Sequence, residues 1–281
     1  MTLRSPRSAV HTLSIVFGGA LALAAVSSAQ SRPSSMQSGE VEQRQMQLDN
    51  VNRIGQGAPV DPKEEAAYKE FFRANEPAKK IQLGTGFLGK YPKSPYAEAV
   101  DVGLMNLYYN DHDWKDVYLY ADSALALKPD DVDVLTTVGW LIPHVFHPDD
   151  VDADQQLNKA EAYAKRAIEV IPAMSKPPDV TEAEFATLKA QKLVQAHSAL
   201  GLVYFRREDY ENSAKELRQS TPSTANPDAT DLYVLGVDYE NLKRFADAAD
   251  AYNRCGQIAG PLQDRCKESA AAAKKQVAPS K

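Results

Sequence analysis

Two cysteine residues, Cys255 and Cys266, are the first candidates for chemistry in this sequence. The segment between them predicts a helical hairpin that turns near Gly260 and Pro261, and the two cysteines lie equally far from this turn. A disulfide between them would close a short loop and stabilise the folded chain by about 2–3 kcal/mol. The alternative is that Cys255 is a buried thiol, because its place on the helix calls for a small side chain.

A second group of candidate residues lies in the segment 143–156. His144 and His147 are followed by Asp149 and Asp150, and imidazole and carboxylate groups are ligands for divalent metals. The spacing matches no known ligand signature, and no glycine lies between the aspartates as it would in a calcium-binding loop. We therefore predict an acidic surface loop without a metal or another cofactor.

The sequence contains neither a G-x-S-x-G nucleophile motif nor a glycine-rich phosphate-binding loop. No Ser-His-Asp or Cys-His arrangement stands out either. We predict a protein without enzyme activity. The alternative is a hydrolase or metal-dependent enzyme with its site in the segment 143–156.

The elements that would position these residues follow a period of 35 residues. Four positions of one unit have a counterpart 35 residues later: Leu200, Gly201, Tyr204 and Tyr210 correspond to Leu235, Gly236, Tyr239 and Phe245. Apolar residues within each unit recur at spacings of three and four, which predicts helices. Gly201 and Gly236 then lie inside helices, where glycine costs about 1 kcal/mol relative to alanine. We expect a second helix to pass close to each glycine.

A single pair of helices has too little inward apolar surface to offset the conformational entropy that folding removes. Stacking of neighbouring pairs supplies the missing surface, so we expect at least three units. The full pattern is a Leu-Gly pair, a tyrosine three residues later, an aromatic residue six beyond it, and then alanines and a closing proline. This pattern resembles the tetratricopeptide repeat over roughly residues 61–262.

The resemblance implies an all-α fold, a right-handed α-solenoid of helix-turn-helix repeats with a C-terminal capping helix. Three residues depart from the pattern: Met105 replaces the glycine, and Ser213 and Ser220 replace small alanines. The segment 87–97 is also similar to periplasmic repeat proteins of the outer-membrane-assembly lipoprotein type. The predicted units are 61–94, 98–131, 132–172 with the insertion 143–156, 181–226 and 228–261, followed by a capping helix and tail at 262–281.

The resemblance also implies that the first helix of each unit lines a concave groove, which would bind a protein or peptide partner. The residues in groove-facing slots are Phe72, Asn106, Tyr109, Trp140, Phe205 and Tyr233. The alternative is that these side chains pack against the insertion or against the long helix that begins at Thr181.

The first 29 residues have the features of a signal peptide. Two arginines precede an apolar run at 12–26, and small residues follow at 27–29, which predicts cleavage before Gln30. The run is short for a membrane span, although an uncleaved anchor is the alternative. Residues 30–60 are polar and predict a flexible linker.

Cleavage would remove two arginines and no acidic residue, so the net charge of −6 would become −8. This charge argues against nucleic-acid partners. We predict a periplasmic or secreted scaffold that does not span the membrane after cleavage and that binds a protein or peptide partner. A constitutive structural subunit of an envelope assembly complex is the alternative, and the sequence leaves the oligomeric state open.

Overall fold

The computed structural model describes residues 61–222 and 227–277, which belong to one compact unit. The predicted signal peptide, the linker at 30–60 and the last four residues of the tail lie outside the described residues. The described part contains eleven α-helices and no strand: α1 Pro62–Arg73, α2 Pro77–Lys90, α3 Ala97–Asn110, α4 Trp114–Leu127, α5 Val132–His144, α6 Ala153–Val170, α7 Glu182–Arg206, α8 Tyr210–Ser220, α9 Ala229–Asn241, α10 Phe245–Cys255 and α11 Gln263–Gln276. A short 3₁₀ turn, Ile171–Ala173, follows α6.

Consecutive helices pack in pairs, and each pair also contacts the next one. The five hairpins are α1–α2, α3–α4, α5–α6, α7–α8 and α9–α10, and α11 packs against α10 at the C-terminal end. The prediction of an all-α solenoid of helix hairpins is confirmed.

Three of the hairpins share the same three-residue turn, at residues 111–113, 207–209 and 242–244. The middle residue of each turn has a left-handed backbone, with φ of 59° at His112, 60° at Glu208 and 60° at Lys243. The backbone N–H of the last turn residue donates to the carbonyl of a repeat tyrosine: Asp113 to Tyr108 at 3.0 Å, Asp209 to Tyr204 at 3.0 Å, and Arg244 to Tyr239 at 2.7 Å. The period of 35 residues is therefore visible in the backbone as well as in the side chains.

The repeat glycines of the last two hairpins lie where the second helix passes close to the first. A Cβ atom built on Gly201 would lie 2.6 Å from Cγ of Leu217, and one on Gly236 would overlap the ring of Tyr252. Real Cβ atoms do not approach other heavy atoms so closely, so the crossing requires glycine at both positions. The expected close approach is present.

The third hairpin differs from the others in its connection. The helix α5 continues through Pro143 to His144, and α6 begins at Ala153, so the insertion expected at 143–156 is reduced to a connection at 145–152. A proline near the end of a helix removes only one backbone hydrogen bond. Arg206 of the next hairpin donates to the Pro143 carbonyl at 3.1 Å, which satisfies one acceptor at this helix end.

The helix α7 is 25 residues long and reaches beyond its own hairpin. It contacts both α5 and α6 of the third hairpin. In its first half Phe185 is buried, Lys189 Nζ donates to the Pro172 carbonyl at 2.6 Å, and Lys192 forms an ion pair with Asp133. The third and fourth hairpins therefore share a larger interface than two simple repeats would.

The boundary between the fourth and fifth hairpins contains buried polar pairs. Asp238 accepts a hydrogen bond from Ser213 Oγ at 2.6 Å, and Asp231 accepts from Ser220 Oγ at 2.7 Å and from Ser198 Oγ at 2.8 Å. Burial raises the pKa of Asp231 to about 6 and that of Asp238 to about 8. The two serines that depart from the repeat pattern are thus partners of buried carboxyl groups.

Candidate functional site

The six predicted groove residues all lie on the first helices of the hairpins. Their positions are Phe72 on α1, Asn106 and Tyr109 on α3, Trp140 on α5, Phe205 on α7 and Tyr233 on α9. Each side chain is partly buried. Each of them therefore packs on its own chain with one part of its surface and presents another part to solvent.

The rings in the first two hairpins are held by neighbours of the same hairpin. The Phe72 ring meets the Tyr68 ring edge-on, with centroids 4.8 Å apart, and the Lys80 ammonium lies 5.6 Å from the Phe72 centroid. Tyr109 meets Trp114, the first residue of α4, with centroids 5.8 Å apart. These contacts fix the orientation of both rings.

Trp140 has the closest ring contact of the set. Its centroid lies 3.7 Å from that of His144, one turn further along α5, and it packs against Ala199 and Leu200 of α7. These contacts cover one part of the Trp140 side chain, and the rest is open to solvent.

The remaining two rings lie in the last two hairpins. Phe205 meets Tyr210 with centroids 6.3 Å apart. Tyr233 lies 5.6 Å from the Tyr252 ring, and the Arg265 guanidinium of α11 lies 5.0 Å from the Tyr233 centroid. A ring that is already fixed in this way loses little side-chain entropy when a partner covers its open face.

His144 faces the interior of the molecule rather than the connection. Its Nδ1 lies 2.7 Å from the Trp140 carbonyl oxygen, and its Nε2 is buried without a hydrogen-bond partner. Because a carbonyl only accepts, Nδ1 carries the proton in the neutral ring. Burial lowers the pKa of His144 below its usual value, so the side chain is neutral at neutral pH.

The segment predicted as an acidic loop borders an open cleft of about 440 Å³. Its walls come from α4, the end of α5, the connection at 145–152 and the start of α6. Apolar and polar side chains line it together: Lys115, Tyr118, Asp122, Ile142, Val145, Phe146, His147, Asp150, Asp152, Ala153, Gln156 and Lys159. None of the six predicted groove residues is among them.

The charged groups of the cleft are partly paired with each other. Lys159 Nζ lies 2.7 Å and 3.0 Å from the two carboxylate oxygens of Asp122, and Tyr163 donates to the same carboxylate at 2.8 Å. Gln156 Nε2 donates to Asp152 at 2.7 Å. Within the described ranges, no three His, Cys, Asp or Glu side chains come together as metal ligands.

Cys255 and Cys266 are joined by a disulfide in the structure, and their Cα atoms lie 5.7 Å apart. Both residues are fully buried beside Leu232. The bond connects α10 to α11 and so attaches the last helix to the fifth hairpin.

The sequence matches no protein-family model and no curated protein. The structure is similar to the crystal structure of PilW, described as a widely conserved type IV pilus biogenesis factor, with a TM-score of 0.50. The alignment covers 78% of this chain and 89% of PilW at 12% sequence identity. The fold is that of a tetratricopeptide-like repeat protein.

None of the helices in the described part is long and apolar enough to cross a membrane. Within the tetratricopeptide-like array, sequence reasoning missed two features. The cleft was missed because Tyr118 and Phe146 belong to different hairpins, and only the packing brings them together. The buried aspartate–serine pairs could have been predicted from matching spacings in the sequence. Asp231 and Asp238 on one helix are seven residues apart, and so are Ser213 and Ser220 on the helix before it.

Proposed function

We propose that this chain is a protein-interaction scaffold of the cell envelope without enzyme activity. A segment of a partner protein binds along the first helices of the hairpins and covers the open faces of the six groove residues. The observation that carries the proposal is the presence of a partly exposed, positionally fixed aromatic ring on the first helix of each of the five hairpins. Such rings supply large contact area at low entropic cost.

The envelope location is supported by the signal-peptide features of the first 29 residues and by the disulfide, a bond that persists in oxidising compartments. The fold likeness to a pilus biogenesis factor is in line with a role in the assembly of an envelope structure. The periplasm is the compartment that we propose.

Capture from an envelope extract tests the groove. We expect the native protein to retain a specific partner and the double variant Tyr109→Ala, Phe205→Ala to retain at least tenfold less of it. Tyr120→Ala is the matched control, since it removes a partly buried ring from the second helix of a hairpin. Equal capture by the native protein and the double variant, with both folded by circular dichroism, would remove the groove from the proposal.

A constitutive structural subunit of an envelope complex is the second candidate, and it too is in line with the likeness to a biogenesis factor. Size-exclusion chromatography of the native protein from an envelope extract separates the two. A scaffold that binds reversibly elutes partly as the free chain, whereas a structural subunit elutes only in the complex.

A further inference from the structure

The cleft at the third hairpin has an apolar floor, where side chains that pack on the core present their outer parts to solvent. Tyr118 of α4, with Val145 and Phe146 of the connection, lies partly buried in it, and Ile142 beneath them is fully buried. Four large apolar side chains are highly exposed in the described part of the chain: Leu119, Leu127, Val151 and Val277. None of these four lines the cleft, so its apolar surface comes from Tyr118, Val145 and Phe146.

The rim of the cleft is negatively charged. The residues 145–158 include four aspartates and neither lysine nor arginine. Lys159, one of the two lysines in the wall, is already paired with Asp122. Asp150 and Asp152 face the Tyr118 ring closely enough to act with burial in raising the pKa of Tyr118 to about 12. With Lys159 paired to Asp122, the cleft wall retains Lys115 against Asp150 and Asp152, which leaves one net negative charge and favours a cationic group.

One carboxylate of the cleft wall is held in position by a neighbouring side chain. Gln156 donates through Nε2 to Asp152 at 2.7 Å. This contact orients the Asp152 carboxylate, whose remaining lone pairs can accept from a cationic group.

We propose that this cleft is a second docking site, which takes a short segment of a partner protein with an apolar side chain flanked by lysine or arginine. The apolar side chain covers Tyr118 and Phe146, and the flanking cations lie opposite Asp150 and Asp152. The site is separate from the aromatic groove of the first helices, so either proposed binding site can be disproved without affecting the other.

A set of three labelled peptides tests the chemistry of the occupant. The first is a fluorescein-labelled eight-residue peptide with two leucines and three lysines, spaced by glycine and serine. In the second, glutamates replace the lysines, and in the third, serines replace the leucines. By fluorescence polarisation at low salt, we expect the first to bind at least tenfold more tightly than either of the others, and more weakly as salt is added.

Variants of the full chain locate the binding. We expect Asp150→Asn with Asp152→Asn to weaken binding of the lysine-leucine peptide at least fivefold. The control is Asp250→Asn with Glu268→Gln, which makes the same change in net charge at exposed positions on α10 and α11 and should leave binding unchanged. The groove variant Tyr109→Ala, Phe205→Ala should also bind this peptide like the native protein, which distinguishes the cleft from the groove.

Four outcomes would overturn the proposal. Equal binding of the lysine-leucine and lysine-serine peptides would indicate charge attraction without a cleft. An equal loss of peptide binding in the cleft variant and in the control variant would also indicate charge attraction without a cleft. Displacement of the peptide by stoichiometric calcium or zinc would identify a metal as the occupant. A dimer on size-exclusion chromatography that the lysine-leucine peptide dissociates would identify a second copy of this chain.

Discussion

The third and fifth hairpins are built on the same repeat and use it in opposite ways. The fifth hairpin closes with the three-residue turn at 242–244, requires glycine at position 236, and is attached to α11 by a disulfide. The third hairpin has an eight-residue connection and an open cleft. One repeat thus supports either a tightly fixed end of the array or an accessible surface in its middle.

The first helices of these two hairpins also differ at equivalent buried positions. With Gly139 aligned on Gly236, the aspartates 231 and 238 of α9 correspond to Val134 and Leu141 of α5. All four side chains are buried. At these two positions, the stability of the fifth hairpin therefore depends on pH and on hydrogen bonds, whereas that of the third depends on apolar contact.

The largest expected effect is the pH dependence of the fifth hairpin. The folded-state pKa of Asp238, about 8, lies above the value of 3.8 for an unperturbed carboxyl group, so the folded chain binds the proton more tightly than the unfolded chain does. This contribution to stability is present at low pH and is lost as the pH rises towards 8, at about 1.4 kcal/mol per pH unit. We expect the free energy of unfolding in urea to fall between pH 5 and pH 8.

The variant Asp238→Asn should reduce this slope, while the exposed Asp250→Asn should keep it. Asp231 and Asp101, each with a pKa raised to about 6 by burial, contribute in the same direction at lower pH. The difference in slope between the native protein and Asp238→Asn isolates the contribution of Asp238. Identical slopes would contradict the assignment.

The disulfide should give the next largest effect. Replacing both Cys255 and Cys266 with alanine removes a bridge across 11 residues, and we expect a loss of about 2–3 kcal/mol in the free energy of unfolding. Hydrogen exchange should accelerate in α11 and remain unchanged in α5 and α6. A count of two free thiols in the non-reduced native protein would show that the bridge does not form.

Substitution of the repeat glycines should destabilise the fifth hairpin but not the third, and the loss should be smaller than that from removing the disulfide. Gly236→Ala places a methyl group against the buried Tyr252 ring, which we expect to cost about 1–3 kcal/mol. The nearest atoms to a Cβ on Gly139 lie 3.4 Å away, so Gly139→Ala should be neutral or stabilise α5 by up to about 1 kcal/mol. Thermal unfolding of both variants measures the difference, and equal melting temperatures would contradict it.

The smallest expected effect on stability is at the third hairpin's connection. Val151 is fully exposed, so Val151→Ser should change the free energy of unfolding by less than about 0.5 kcal/mol. Chemical denaturation of the variant checks this value. A loss above about 1 kcal/mol would show that the connection packs more tightly than its exposure indicates.

The helix pairs could be predicted from the sequence because their signals are local. The period of 35 residues and the glycines at 201 and 236 indicate crossing helices before any coordinates are known. The end of α5 could not be predicted in the same way. Its last turn continues past Pro143, and the Pro143 carbonyl accepts a hydrogen bond from Arg206, which lies 63 residues later in the sequence.

The candidate sites were harder to predict for a related reason. The groove slots follow from the repeat register, so Tyr109 and Phe205 could be assigned to first helices. The degree to which Trp140 is covered depends on a cluster built from two hairpins, Ala164 of α6 with Ala199 and Leu200 of α7. The cleft depends on the packing of two hairpins and is not encoded in any one segment.

The length of α7 has a consequence for cooperativity. In an array of equal repeats each unit melts according to its own stability and that of its nearest interfaces. Here one helix completes the fourth hairpin and also contacts both helices of the third, so we expect these two hairpins to unfold together. A fragment that ends at residue 180 would leave a face of α5 and α6 in water, and a division of the array into independently folding pieces must keep residues 132–220 together.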